Sequence, residues 1–183
     1  MQRFVNMRKN KALSHLLRNN NVAARVGALM RDSFDIGFID VGGWDTHVAE
    51  ATSSGAHGQL ATKLAALGEG LAALARAAGP AWRDMTVVVI SEFGRTFREN
   101  GNRGTDHGHG SVYWVLGGSV RGGRIVGEQV TLSPATLDQN RDYPVLSDYR
   151  DVLGGLFARL WGLDARRVRA VFPDADARDL GLV

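Results

Sequence analysis

The alternation of strand-like and helix-like patterns along this chain predicts an α/β fold, a mainly parallel sheet flanked by helices. Three observations carry that expectation. Leu60, Leu64, Leu67, Leu71, Leu74 and Ala78 recur at spacings of four and three, which is one face of an amphipathic helix over 58–78. Short apolar runs flank that helix, Ile36–Val41 before it and Met85–Ile90 after it. The second run, MTVVVI, is continuously apolar, as in strands buried on both faces of a parallel sheet. Strand, crossover helix and strand then form a right-handed βαβ unit.

The other elements follow in order. Residues 11–31 read as a helix with Leu13, Leu16, Leu17, Val22, Val26 and Leu29 on one broad face, weakened by Asn19-Asn20-Asn21. Gly42-Gly43 ends the strand 36–41, and 44–57 is a polar loop. Gly79-Pro80 stops the long helix. A second loop covers 91–110, and SVYWVL at 111–116 is a strand. Residues 117–128 read as a Gly-rich turn with a short strand, and 129–147 as an irregular segment holding Pro134 and Pro144. Ser147-Asp148 caps a last helix to about Trp161, with Val152, Leu153, Leu156, Phe157 and Leu160 inward.

At 183 residues the length suits one domain, and 44% hydrophobic with 22% charged residues is the composition of a folded globular chain. The basic helical segment 1–33 is set apart from 34–183. Residues 1–31 hold seven basic residues and no acid, whereas 32–183 hold 15 basic and 19 acidic residues. The basic segment lacks interleaved aromatics, so it reads as a surface helix and no nucleic-acid partner is expected. Arg18, Arg25 and Arg31 interrupt any apolar core a signal peptide would need. No apolar run approaches the ~20 residues of a membrane span. With no cysteine, any metal must be held by His, carboxylates, hydroxyls or water.

Three of the five histidines fall in two motifs, each following an expected strand: Gly43-Trp44-Asp45-Thr46-His47 and Thr105-Asp106-His107-Gly108-His109-Gly110. Between them lies Ser91-Glu92-Phe93-Gly94-Arg95-Thr96. In an open parallel sheet ligands collect beyond the carboxyl ends of the strands, so the three motifs are expected to converge there. Imidazole with carboxylate suits a divalent metal, zinc, manganese or iron, with calcium also compatible. The candidate ligands are Asp45, His47, Glu92, Asp106, His107 and His109, and Arg95 is a candidate contact for an anionic ester. The bland readings are an Asp45 cap, a Glu92–Arg95 ion pair, surface positions for His15 and His57, and packing roles for Trp44 and Trp114.

These segments, with Gly117-Gly118-Ser119-Val120-Arg121-Gly122-Gly123 and Asp148-Tyr149-Arg150, resemble the hallmarks of the domain-of-unknown-function 1501 family from about Phe34 onward. That family is similar to the alkaline phosphatase and sulfatase superfamily. The resemblance implies an alkaline-phosphatase-like fold, present in part, and metal-dependent cleavage of phosphate or sulfate esters. It places Asp45 and His47 as ligands from the first strand, Glu92 at the central strand end, and His107 or His109 as the late ligand. Phe93 stands where the superfamily usually has a second ligand His. The N-terminal half of full-length members supplies a metal-binding Asp and the nucleophilic hydroxyl. A complementary N-terminal half is therefore an expected partner, and the chain alone is expected to be inactive. Val87, Val89, Val112 and Val115 would then lie on an uncovered apolar surface. The alternative is a non-catalytic binding or scaffold module of a larger assembly.

Overall fold

The structure, a computed structural model, describes residues 4–6, 20–52 and 57–183. Its described elements are β1 (Phe4–Asn6), α1 (Asn20–Asp32), β2 (Ile36–Phe38), α2 (Gln59–Ala78), a 3-10 turn (Gly79–Asp84), β3 (Val87–Val89), β4 (Gly94–Arg95), β5 (His107–Gly108), β6 (Trp114–Leu116), α3 (Tyr149–Trp161) and α4 (Ala165–Val171). The chain divides into two units, Met1–Met85 with Glu99–Thr105, and Thr86–Arg98 with Asp106–Val183.

The expected mainly parallel, alkaline-phosphatase-like sheet is not found. The described strands form three separate two-stranded ladders, β1-β2, β3-β6 and β4-β5. Only β1-β2 is parallel, and the other two are antiparallel. Among the described residues β2 and β3 share no ladder, so the βαβ unit expected around α2 is not formed. Hydrophobicity reports that a segment is apolar, not which way its neighbour runs. Between β3 and β6 the chain contains no helix, so it returns antiparallel without the crossover a parallel pair needs. The valines of β3 are half-buried rather than enclosed on both faces, and Val112 is 78% exposed. The short strand expected within 117–128 is not formed, and the strand expected over 36–41 stops at Phe38.

In the first unit α1 packs on α2. Val22, Ala23 and Val26 of α1 and Ala73, Leu74 and Ala78 of α2 are buried. The helices approach closely at Gly27, where a Cβ would lie 2.4 Å from the Leu74 carbonyl oxygen. The helix expected over 11–31 is described from Asn20, and its earlier residues lie outside the described ones. Helix α2 matches its expected span, but Leu60 and Leu64 on the leucine face remain exposed.

In the second unit α3 carries the core through Leu153 and Leu156, joined by Val168 of α4, Leu137 and Leu182. Asp148 caps α3 as expected, its carboxylate accepting from the Arg150 backbone N–H at 2.8 Å. Asp164 caps α4, which sequence periodicity did not suggest, in the same way. No helix among the described residues is long and apolar enough to cross a membrane.

Candidate metal centre

The second unit holds, within itself, a group of metal-type ligands. Its framework is backbone pairing. Strand β4 lies antiparallel to β5 with Arg95 opposite His107. Beyond β4, Thr96 bonds to Asp106, Phe97 N–H donates to the Arg141 carbonyl, and Gly110 N–H donates to the Tyr143 carbonyl. The strands meet so closely at Gly94 that a Cβ would lie 2.1 Å from the Gly110 carbonyl oxygen. The glycines in these motifs thus serve close backbone approach.

This pairing brings His109 onto the turn 138–142. His109 Nδ1 lies 2.6 Å from Asp142 Oδ2 and 3.8 Å from Asp138 Oδ2. His109, Asp138 and Asp142 offer donor atoms within 4.8 Å of one another. Asp138 and Asp142 exchange backbone hydrogen bonds at 3.0 and 2.9 Å across the turn. Gln139 and Asn140 between them take φ of 50° and 54°, the left-handed region that non-glycine residues rarely occupy. Arg98 holds that turn, donating from Nε to the Asn140 carbonyl and from Nη2 to its Oδ1, both at 2.6 Å.

The electrostatics of Asp142 follow from its surroundings. Burial works to raise its pKa. The hydrogen bond from His109 and then that from Arg141, with the charge of Arg141, outweigh burial and hold the carboxyl below the ordinary carboxylate range. Arg141 Nε lies 2.8 Å from Oδ1 as an ion pair, although Oδ1 accepts no hydrogen bond of good geometry.

The neighbouring candidates take other partners. The His107 ring stacks on Phe93 with centroids 4.1 Å apart and planes 11° apart. The Arg95 guanidinium carbon lies 5.1 Å from the same Phe93 centroid. Phe93 is therefore a platform for an imidazole and a cation. Glu92 and the side chain of Asp106 are exposed and stand outside the His109 group.

Asp45 and His47 belong to the first unit, where His47 Nε2 is 2.9 Å from Asp45 Oδ1. Their loop is tied to residues 99–105. Buried Glu50 accepts from Thr46 Oγ1 at 2.7 Å and from Thr105 Oγ1 at 2.8 Å, and Asn100 Nδ2 donates to the His47 carbonyl at 3.0 Å.

Residues 5–172 match the sequence model of the family described as "Protein of unknown function (DUF1501)". The chain belongs to the DUF1501 family. No curated protein and no solved structure matches it.

Sequence reasoning on this DUF1501 chain missed Asp138, Asp142, Glu50 and Asn100. The first two bracket Gln139-Asn140-Arg141, and an Asn among polar residues between two Asp is a turn signal that was available. Nothing in the sequence connects that turn to His109, about thirty residues earlier, because the link is a ladder of backbone hydrogen bonds. Glu50 lies in no motif that would single it out.

Proposed function

We propose that this chain binds a divalent cation, zinc or manganese, with calcium also compatible, in the service of hydrolysing an anionic phosphate or sulfate ester. The observation that supports it is the His109, Asp138 and Asp142 group, an imidazole and two carboxylates with donor atoms within 4.8 Å inside one unit. The residue types fit: an imidazole nitrogen and a carboxylate oxygen, with open positions for water, are compatible with these ions. His109 and Asp138 face solvent and are the proposed direct ligands. Asp45 and His47 in the first unit, and Glu92, Asp106 and His107 in the second, remain proposed donors, each within its own unit. A bound ion would supply Lewis acidity toward an ester oxygen or an attacking water. Arg95, steadied on Phe93, is proposed to contact the anionic ester.

The test is metal analysis of protein purified without chelator, with calorimetric titration of Zn2+ and Mn2+ into wild type, His109→Ala and Asp138→Asn. Retained metal, or binding lost in both variants, is the expected result. No retained metal, no heat and no rise in melting temperature with either ion would remove the reading. Aryl phosphate, phosphodiester and aryl sulfate assays follow with the bound ion. Binding without turnover, also after a complementary N-terminal half is added, would leave a cation-binding module and discard the hydrolase.

A further inference from the structure

The three members of the cation group are not equivalent. The Asp142 side chain is 2% exposed, whereas the His109 side chain is 58% exposed. Asp142 is also fixed through its backbone, paired with Asp138 and bridged to Thr96. Its Oδ2 lies 2.6 Å from His109 Nδ1. A neutral imidazole has one N–H and one lone pair. The nitrogen that faces a carboxylate at this distance must carry the hydrogen, since a lone pair there would meet a negative charge. Arg141, with Nε 2.8 Å from Oδ1 and Nη2 3.1 Å from Oδ2, keeps that charge on the carboxylate. Both oxygens of Asp142 are thus engaged inside the protein, and Asp138 is the carboxylate open to solvent.

We infer that Asp142 is a positioning residue that acts through His109, holding the imidazole in its Nδ1–H tautomer and leaving Nε2 as the ring nitrogen with the lone pair. The consequence for binding rests on the cation reading of His109, but the tautomer does not. A carboxylate behind a ligating imidazole fixes the ring's orientation and raises its basicity, and its loss typically costs roughly 10–100-fold in metal affinity. Asp142→Asn offers a single acceptor oxygen to two donors, Arg141 and His109. When Arg141 takes the oxygen, the amide NH2 faces Nδ1, and the imidazole proton moves to Nε2.

The test uses the full chain labelled with 15N and long-range 1H–15N correlations of the imidazole rings, recorded at a pH of about 8, where an ordinary imidazole is neutral. The His109 signals are assigned by their loss in His109→Gln. The expected result is Nδ1–H for wild-type His109 without metal. Asp142→Asn should shift population to Nε2–H and weaken Zn2+ binding roughly 10–100-fold by calorimetry. Asp138→Asn should weaken Zn2+ binding with the tautomer unchanged, which separates a ligand from a positioning residue. An Nε2–H tautomer in the wild type overturns the inference, and that measurement stands even where Asp142→Asn fails to fold. An unchanged tautomer in a folded Asp142→Asn protein overturns it too. If wild type binds no Zn2+, the cation reading fails, while the metal-free tautomer still decides the role of Asp142.

Discussion

His109 Nδ1 meets Asp142 Oδ2 at 2.6 Å across a boundary of exposure, with the imidazole largely in solvent and the carboxylate almost fully enclosed. Enclosing a carboxylate is costly unless partners compensate it. Here the compensation comes from His109 itself and from Arg141, and the backbone of the 138–142 turn holds Asp142 in place. The left-handed φ angles of Gln139 and Asn140 add a conformational cost that the Arg98 clamp offsets. A turn with two unfavourable backbone positions and a buried charge, all directed at one histidine, is organised around that histidine.

The first prediction concerns where stability resides. Leu156 is 3% exposed in the second unit, and Leu64 is 39% exposed on α2. Leu156→Ala removes fully buried methyl groups and leaves a cavity, so it should cost about 2–5 kcal/mol. Leu64→Ala removes little buried surface and should cost about 1 kcal/mol or less. Denaturant titrations of both variants decide this. Equal losses would mean that Leu64 is covered in solution, as the unbroken leucine face of α2 originally suggested.

That leucine face shows how far the sequence could be read. Spacing in Leu60–Ala78 located α2 because helical periodicity is local, and Asp148 was legible as a cap for the same reason. The sheet was not legible. MTVVVI announces an apolar strand, but its antiparallel partner Trp114–Leu116 is a non-local choice set by the intervening chain. Of the His109, Asp138 and Asp142 group, only His109 stood out by residue type and motif. Its carboxylate partners did not, because Asp138 and Asp142 reach His109 only through pairing across residues 96–97, 110 and 141–143.

The second prediction tests the close approach of the two site strands. A Cβ on Gly94 would sit 2.1 Å from the Gly110 carbonyl oxygen, a backbone atom that cannot rotate away. Gly94→Ala should push β4 from β5 and cost about 1–3 kcal/mol or more, as overpacking of a tight contact does. The His109 ring signals should move as well, since Gly110 is its neighbour. A Gly94→Ala protein of wild-type stability with unshifted His109 signals would contradict the pairing of 94–95 with 107–108.

A third prediction concerns acid. The Arg150 side chain, and then its backbone N–H, hold the Asp148 carboxyl at about 2, below its ordinary 3.8. The ionised form is therefore favoured by folding. Its contribution is fully present above 3.8 and is lost as the pH falls from there through about 2. Both groups are more than a third exposed, so salt and solvent reduce the effect. Asp148→Asn keeps an oxygen for the cap but cannot titrate. The stability difference between wild type and Asp148→Asn should be largest well above pH 3.8 and shrink toward pH 2. Thermal melts of the two proteins across that range check it, and a difference independent of pH would contradict it.

The last prediction takes the proposed anion contact. Arg95 lies opposite His107 in the β4–β5 ladder, with its guanidinium carbon 5.1 Å from the Phe93 ring centroid. The ring restrains the side chain, so less rotamer freedom is lost when the guanidinium fork closes on an oxyanion. A charge-assisted hydrogen bond contributes about 1.5–3 kcal/mol, which corresponds to roughly 10–150-fold in affinity. Arg95→Gln should therefore weaken binding of inorganic phosphate or sulfate by roughly tenfold or more. Arg95→Lys, which keeps the charge without the fork, should fall between Gln and wild type. Phe93→Leu keeps the guanidinium and removes its platform, so its loss should be smaller than that of Arg95→Gln. His109 and Asp138, the proposed direct ligands, are unchanged in all three variants, so Zn2+ affinity should stay at the wild-type value. Calorimetric titration of phosphate and of Zn2+ into each variant reads both quantities. If Arg95→Gln binds phosphate as wild type does, the ester contact lies elsewhere. If Zn2+ affinity falls together with phosphate affinity in all three variants, Arg95 and Phe93 support the fold of the β4–β5 ladder and do not recognise an anion.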